Sequence, residues 1–162
     1  MKQNLHTHTT YADGKDSPEE LVLAAIANGF DSIGFSEHSY MAFSDYPYQM
    51  TPEELPKYKA EIYKLKETYR AQIDIFCGLE YELFSDVPAE SFDYIIGSVH
   101  YLDLAGKKIG FDRGAEEVND LIRRHFGGDG LKFAEKYFET LILLPQKQHI
   151  EILGHFVGMV PL

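Results

Sequence analysis

The sequence predicts a parallel α/β fold, and three observations carry that expectation. Strand-like and helix-like stretches alternate along 162 residues, as a parallel sheet with crossover helices requires. Five apolar runs each end on a side chain that can bind a metal ion, and five of the seven histidines fall at those ends. If the strands form a ring, their carboxyl ends share one face, and the side chains converge there.

The elements follow in order. Asn4-Leu5 is a short first strand leading to His6 and His8. Ser17-Pro18-Glu19-Glu20 is a capping box with proline in the first turn. It opens a helix with Leu21, Ala24, Ala25 and Asn28 on one face, closed by Gly29. Asp31 to Ser36 is the second strand and runs into Glu37-His38. Residues 39–50 lack periodicity and read as a long loop on the site face, carrying Tyr40, Tyr46 and Tyr48 as ordinary loop aromatics. Thr51-Pro52-Glu53-Glu54 repeats the capping pattern, and Leu55, Tyr58, Ile62, Leu65 and Tyr69 then mark an amphipathic helix. Pro56 falls early enough to be tolerated.

Ile73 to Leu79 is the third strand, ending at Glu80, and Tyr94 to Val99 the fourth, ending at His100. Tyr101 to Phe111, around Gly106-Lys107-Lys108, reads as a small hairpin. Helices are expected over Ala115 to Phe126 and Leu131 to Leu143, joined by Gly127-Gly128-Asp129-Gly130. Leu131, Ala134, Tyr137, Phe138, Leu141 and Ile142 share one face of the second. Ile150 to Leu153 is the fifth strand and leads to His155. With no repeat and no linker, residues 1–162 read as one domain.

At 44% hydrophobic and 14% aromatic residues the chain is neither disordered nor of low complexity. Its net charge of −11 repels phosphate backbones, so a nucleic acid is not the expected partner. Most of that acidity reads as solubility, and part of it belongs in a metal site. Cys77 has no partner for an internal disulfide and reads as a small core residue. The start, Met1-Lys2-Gln3-Asn4-Leu5, lacks an apolar signal core, and the run Leu141-Ile142-Leu143-Leu144 stops at Pro145. A cytoplasmic protein that does not engage a membrane is expected. The apolar end, Phe156 to Leu162, reads as the place where a longer chain was cut. A sheet left unfinished in this way would have an edge suited to pairing with another copy, a homo-oligomer.

The chemistry rests on imidazoles and carboxylates. In an extended segment His6 and His8, two apart, point the same way. Asp13-Gly14 can turn the following loop back and supply a carboxylate. His38 ends a strand, while its neighbour Glu37 should point oppositely and read as structural. Glu80 closes an apolar run, where a carboxylate needs a partner such as a pair of cations. Glu82 reads as a solvated charge. His100 and His155 end the last two strands. His125, His149, Arg123, Arg124 and Arg113 read as ordinary solvated residues. There is no glycine-rich phosphate loop, no Gly-x-Ser-x-Gly elbow and no cysteine set for a structural zinc. Such a mixed set suits zinc, iron or manganese. Two or three such ions make a bridging hydroxide available near neutral pH, neutralise phosphate oxygens and orient an ester for in-line attack. No protein nucleophile is needed, so the reading is a metal-dependent phosphoesterase acting on a small phosphate ester.

His6-Thr7-His8 with Asp13-Gly14, Gly34-Phe35-Ser36-Glu37-His38-Ser39, Gly78-Leu79-Glu80, Phe92 to Tyr101 and Gly154-His155-Phe156 occur in one order. Together they resemble the polymerase-and-histidinol-phosphatase (PHP) superfamily. The wording around His38, with Phe126-Gly127-Gly128-Asp129, is most similar to its monofunctional histidinol-phosphate phosphatases. The resemblance implies a distorted seven-stranded (β/α)7 TIM-like barrel, of which this chain holds about five strands. It places His6, His8, Asp13, His38, Glu80, His100 and His155 on metal-ligand positions. It also implies hydrolysis of L-histidinol phosphate to L-histidinol and phosphate, in histidine biosynthesis. The family's late Asp-x-His pair has no counterpart here, and Val157 stands where an acidic residue is usual. Two alternatives stay open. One is another PHP-type phosphoesterase, either a phosphodiesterase or nuclease or a phosphotyrosine phosphatase. The other is a catalytically inactive binding module.

Overall fold

The computed structural model describes residues 1–44, 46–47, 49–89, 91–112 and 114–155. Two compact units divide the chain. The first comprises Met1–Tyr81 and Ser85–Ile96, the second Glu82–Phe84 and Gly97–Leu162.

In the first unit, β1 (Gln3–Asn4) pairs in parallel with β2 (Ser32–His38), which pairs in parallel with β3 (Asp74–Glu82). The opening residues of β4 (Tyr94–Ser98) also lie in this unit. Helix α1 (Pro18–Ala27) follows β1, and α2 (Leu55–Tyr69) follows β2. Within this unit the strand order is β1-β2-β3, with both pairings parallel, and β7 (Ile152–Leu153) belongs to the second unit. The expected α/β class is therefore observed.

Burial shows why these segments take these forms. Every residue of β2 before His38 is buried, the continuous pattern of a strand covered on both faces. One face of β2 and β3 carries Gly34 and Gly78, and the Tyr94 ring lies against both. A side chain at either glycine would collide with that ring. The Tyr94 hydroxyl, in turn, sits 2.5 Å from the Leu5 carbonyl, one residue before His6. Tyr58 of α2 is fully buried, with its hydroxyl 2.9 Å from both the Phe35 and Gly78 carbonyls. That contact ties α2 to the two strands that carry His38 and Glu80.

The capping box at α1 forms as expected: the Ser17 hydroxyl accepts from the Glu20 N–H, and the Glu20 carboxylate accepts from the Ser17 N–H. The buried face of α1 differs, being Pro18, Val22 and Ala25, while Ala24 and Asn28 are exposed. At α2, Glu54 accepts from the Thr51 N–H and hydroxyl, but residues 52–54 form turns and the helix opens at Leu55. β1 ends earlier than expected and its two residues are exposed.

The second unit contains the hairpin of β5 (Tyr101–Leu104) and β6 (Lys107–Gly110), as the sequence predicts. Its two-residue turn has positive φ at both Ala105 (55°) and Gly106 (83°), the arrangement that matches strand twist. Helices α3 (Ala115–Phe126) and α4 (Gly130–Leu141) flank a glycine joint, with Gly127 and Gly128 both in the left-handed region. The Asp129 carboxylate accepts from the Leu131 and Lys132 N–H groups and caps α4. The expected face of α4 is rotated. Phe133, Tyr137, Thr140 and Leu141 are buried, whereas Leu131 is 83% exposed and Phe138 and Ile142 are also exposed. Aromatic contacts decide this, because Phe133 and Tyr137 both pack edge-on against Phe111. A short helix, α5 (Leu144–Lys147), begins around Pro145. No helix among the described residues is long and apolar enough to cross a membrane.

Candidate metal centre

Beyond β1 the chain stays extended beside β2, because the Ser36 N–H donates to the Thr7 carbonyl at 3.0 Å. His6 and His8 therefore project to one side, with their rings stacked 5.1 Å apart. The chain then reverses: the Ala12 and Gly14 N–H groups both donate to the Thr9 carbonyl. Gly14 passes so close to the His8 carbonyl that a Cβ there would overlap it. This turn delivers Asp13, whose Oδ1 lies 2.8 Å from His8 Nδ1 and whose Oδ2 lies 3.6 Å from His38 Nε2.

Strand register supplies the rest of the first unit's cluster. His38 at the end of β2 stands directly opposite Glu80 on β3. Three imidazole nitrogens crowd the single oxygen Glu80 Oε2: His38 Nδ1 at 3.0 Å, His8 Nε2 at 3.2 Å and His6 Nε2 at 3.3 Å. Glu80 is only 1% exposed. Burial disfavours a charged His8, yet hydrogen bonds with Asp13 and Glu80 outweigh it and raise its pKa to about 10. Hydrogen bonds from His38 and then His8 hold the Asp13 carboxyl well below the usual carboxylate range.

This donor set fits divalent cations. Five side chains with nitrogen or oxygen donor atoms converge, one of them a buried carboxylate with the chemistry to bridge two cations. His8, Asp13 and His38 place one donor atom each within 4.8 Å of one another. Glu37 points away from this cluster, as expected. It is fully buried, and its Oε1 accepts from the Thr9 N–H at 3.0 Å and the Thr9 hydroxyl at 2.7 Å. Burial raises its pKa, against those same bonds. Its effect is to pin the loop between His8 and Asp13.

The second unit has its own cluster. His100 Nε2 lies 3.4 Å from His155 Nε2, with ring centroids 5.1 Å apart. Glu82, expected as a solvated charge, is instead 2% exposed. Its Oε2 accepts from the His100 N–H at 2.6 Å and lies 3.2 Å from His100 Nδ1. The missed signal is the same two-residue strand period that paired His6 with His8, applied to Glu80 and Glu82. Asp112, also missed, has Oδ2 3.8 Å from His100 Nε2. It follows the hairpin in a segment without periodicity, so nothing in the sequence marked it.

The remaining candidates fall outside these clusters. Tyr46 is edge-on to His38, centroids 6.2 Å apart, and Tyr40 is half-buried. His125 is exposed on α3, and exposed His149 pairs with Glu151. Arg123 and Arg124 form surface ion pairs with Asp120. Tyr48, Arg113, Phe156 and Val157 lie outside the described residues. Cys77 is buried in β3, and burial pushes its thiol up to about 12.

Comparison with known proteins bears on the family and the fold. A family model described as "PHP domain" matches residues 4–160. A protein named "Probable histidinol-phosphatase" from Deinococcus radiodurans is 35% identical over 135 residues, covering 76% of this chain and 49% of that protein. The chain thus spans about half the length of this curated relative. A solved structure described as a candidate histidinol phosphatase from Listeria monocytogenes has a TM-score of 0.73 at 23% identity, over 88% of this chain and 60% of that one. The histidinol phosphate phosphatase of Lactococcus lactis subsp. lactis, solved with zinc, L-histidinol and phosphate, has a TM-score of 0.64 at 22% identity. That match covers 96% of this chain and 57% of the other. Both structures share the fold.

Proposed function

This chain belongs to the PHP domain family, and on that premise we propose that it is a metal-dependent phosphatase that hydrolyses L-histidinol phosphate to L-histidinol and phosphate. One observation carries the reading: three imidazoles and the Asp13 turn converge on the buried Glu80 carboxylate. His6, His8, Asp13, His38 and Glu80 in the first unit, with His100 and His155 in the second, are the proposed ligands of two to three divalent ions, zinc, iron or manganese. When bound, such ions supply Lewis acidity that activates water and neutralises phosphate oxygens.

The chain's own residues do the positioning. Glu80 gathers three imidazoles about one oxygen. Asp13 orients His8 and His38 through its two oxygens. The Glu37–Thr9 bonds keep that loop from relaxing. None of these groups is called on as a protein nucleophile. The name of the Lactococcus structure, with its zinc, histidinol and phosphate, supports both the metal class and the substrate. The net charge of −11 favours a small phosphate monoester over a nucleic acid. The buried lone cysteine suits a reducing cytoplasm. We read residues 1–162 as one phosphoesterase domain with no membrane partner; light scattering of the purified protein decides whether it pairs with a second copy.

The test is phosphate release from histidinol phosphate by protein loaded with Mn²⁺ or Zn²⁺, beside a bridged diester and phosphotyrosine. Preference for histidinol phosphate is expected. Copurification with far less than one equivalent of metal and release from no ester would instead favour an inactive binding module, and preference for the diester would favour a phosphodiesterase.

A further inference from the structure

We propose that Glu82 is a positioning residue that fixes the tautomer and ring plane of His100, keeping the proton on Nδ1 and leaving Nε2 as the ligating nitrogen. The inference rests on the metal-site reading of His100 and His155. It starts from a buried carboxylate that the five first-unit ligands leave without a role.

Glu82 ends β3 and is almost wholly shielded from solvent. Its Oε2 accepts from the His100 backbone N–H at 2.6 Å. The same oxygen lies 3.2 Å from Nδ1 of the same residue. A carboxylate oxygen that already accepts an N–H offers the ring a lone pair, and only a protonated Nδ1 can answer it. The proton is thereby assigned to Nδ1, so the lone pair of the neutral ring resides on Nε2. That nitrogen faces other donors: His155 Nε2 at 3.4 Å and Asp112 Oδ2 at 3.8 Å. Two points of attachment to one residue, backbone and ring, fix the ring's direction as well as its tautomer.

Carboxylate–histidine pairs of this form raise ligand basicity and orient the ring toward a cation. His38 is placed differently, since its two nitrogens both meet carboxylates of the first cluster, Glu80 and Asp13. His100 is thus held from behind while its front nitrogen faces the donor group.

The experiment compares wild type with Glu82→Ala and Glu82→Gln. Long-range ¹H–¹⁵N correlation spectra of the metal-free protein read the His100 tautomer directly, with His100→Gln used to assign its signals. Wild type is expected to show the Nδ1-protonated form, Glu82→Ala a mixture, and Glu82→Gln, whose amide oxygen still accepts, the wild-type form. Zinc competition against a chromophoric chelator should show Glu82→Ala binding about 10- to 100-fold more weakly, with Glu82→Gln between the two. An unchanged tautomer and unchanged zinc affinity in Glu82→Ala would overturn the proposal. If Glu82→Ala does not fold, an Nε2-protonated ring in wild type, or in a folded Glu82→Gln whose zinc affinity equals wild type, overturns it as well. Failure of wild type to bind zinc would sink the phosphatase reading instead, and the metal-free spectra would still decide the tautomer.

Discussion

Glu37 and Glu82 are both buried carboxylates next to proposed ligands, yet they hold different things. Glu37 grips the loop, accepting from the backbone and hydroxyl of Thr9, which is not a ligand. Glu82 grips the ligand, accepting from the backbone of His100 and facing its ring. The contrast sets out two ways of fixing a proposed metal donor. One immobilises the chain between two ligands and lets the donors settle against one another. The other immobilises a single ring.

The comparison first needs the shared ligand to matter. Glu80→Ala removes the oxygen around which His6, His8 and His38 gather. Phosphate release should fall to background and the ion content of the purified protein should drop, which elemental analysis measures. Retained ion content with full activity would remove Glu80 from the site. Glu37→Ala tests the loop-gripping carboxylate. It leaves the buried Thr9 N–H and hydroxyl unmet, at about 1–3 kcal/mol each. Stability in urea should fall by that order, while the zinc affinity of the molecules that stay folded changes less than in Glu82→Ala. Equal affinity losses in the two variants would erase the distinction.

Next comes pH. The folded pKa of His8, about 10, stands above its ordinary 6.5. Its contribution to the stability of the metal-free protein is therefore complete below 6.5 and is lost as pH rises through 10. Asp13 works in the opposite sense: its depressed pKa stabilises above 3.8, and that contribution is lost as pH falls through the lowered value. Thermal melts of metal-free protein should decline on the alkaline side, and His8→Asn should flatten that decline. A cation takes His8 in its neutral form, so zinc loading at pH 8 must expel a proton. Calorimetry in two buffers of different ionisation enthalpy counts it. A count of zero would mean that His8 is either not a ligand or already neutral at pH 8 before zinc binds.

How much of this was legible without coordinates follows from the kind of signal each residue carries. The five strand ends were readable because a parallel strand is an apolar run whose polar terminus stands out. The Asp13 turn was readable because Asp-Gly marks a reversal, and the reason for glycine, the close pass over His8, is a backbone contact. Glu82 was misjudged because a charge after a strand defaults to solvent. Here β3 runs through Glu80 to Glu82, beyond where its apolar stretch stops. The face of α4 was misjudged because period alone cannot choose between two apolar stripes; Phe111 chooses the one with Phe133 and Tyr137. Asp112 had no signal, since its place depends on where the β5–β6 hairpin returns the chain.

The smallest expected effect sharpens the comparison most. His149 Nε2 lies 2.9 Å from Glu151 Oε1, nearly the separation of His8 and Asp13. By distance alone the two pairs are alike. His149, however, is 82% exposed and belongs to no described group of three potential ligands, whereas His8 is largely buried and meets Glu80 as well. An exposed pair is screened by water and contributes about 0–1 kcal/mol. His149→Gln should therefore change stability by no more than about 0.5 kcal/mol, with zinc content and phosphate release as in wild type. Should His149→Gln cost metal or activity, pairing distance would outrank burial as the mark of a ligand, and the line separating the two clusters from the surface histidines would have to be redrawn.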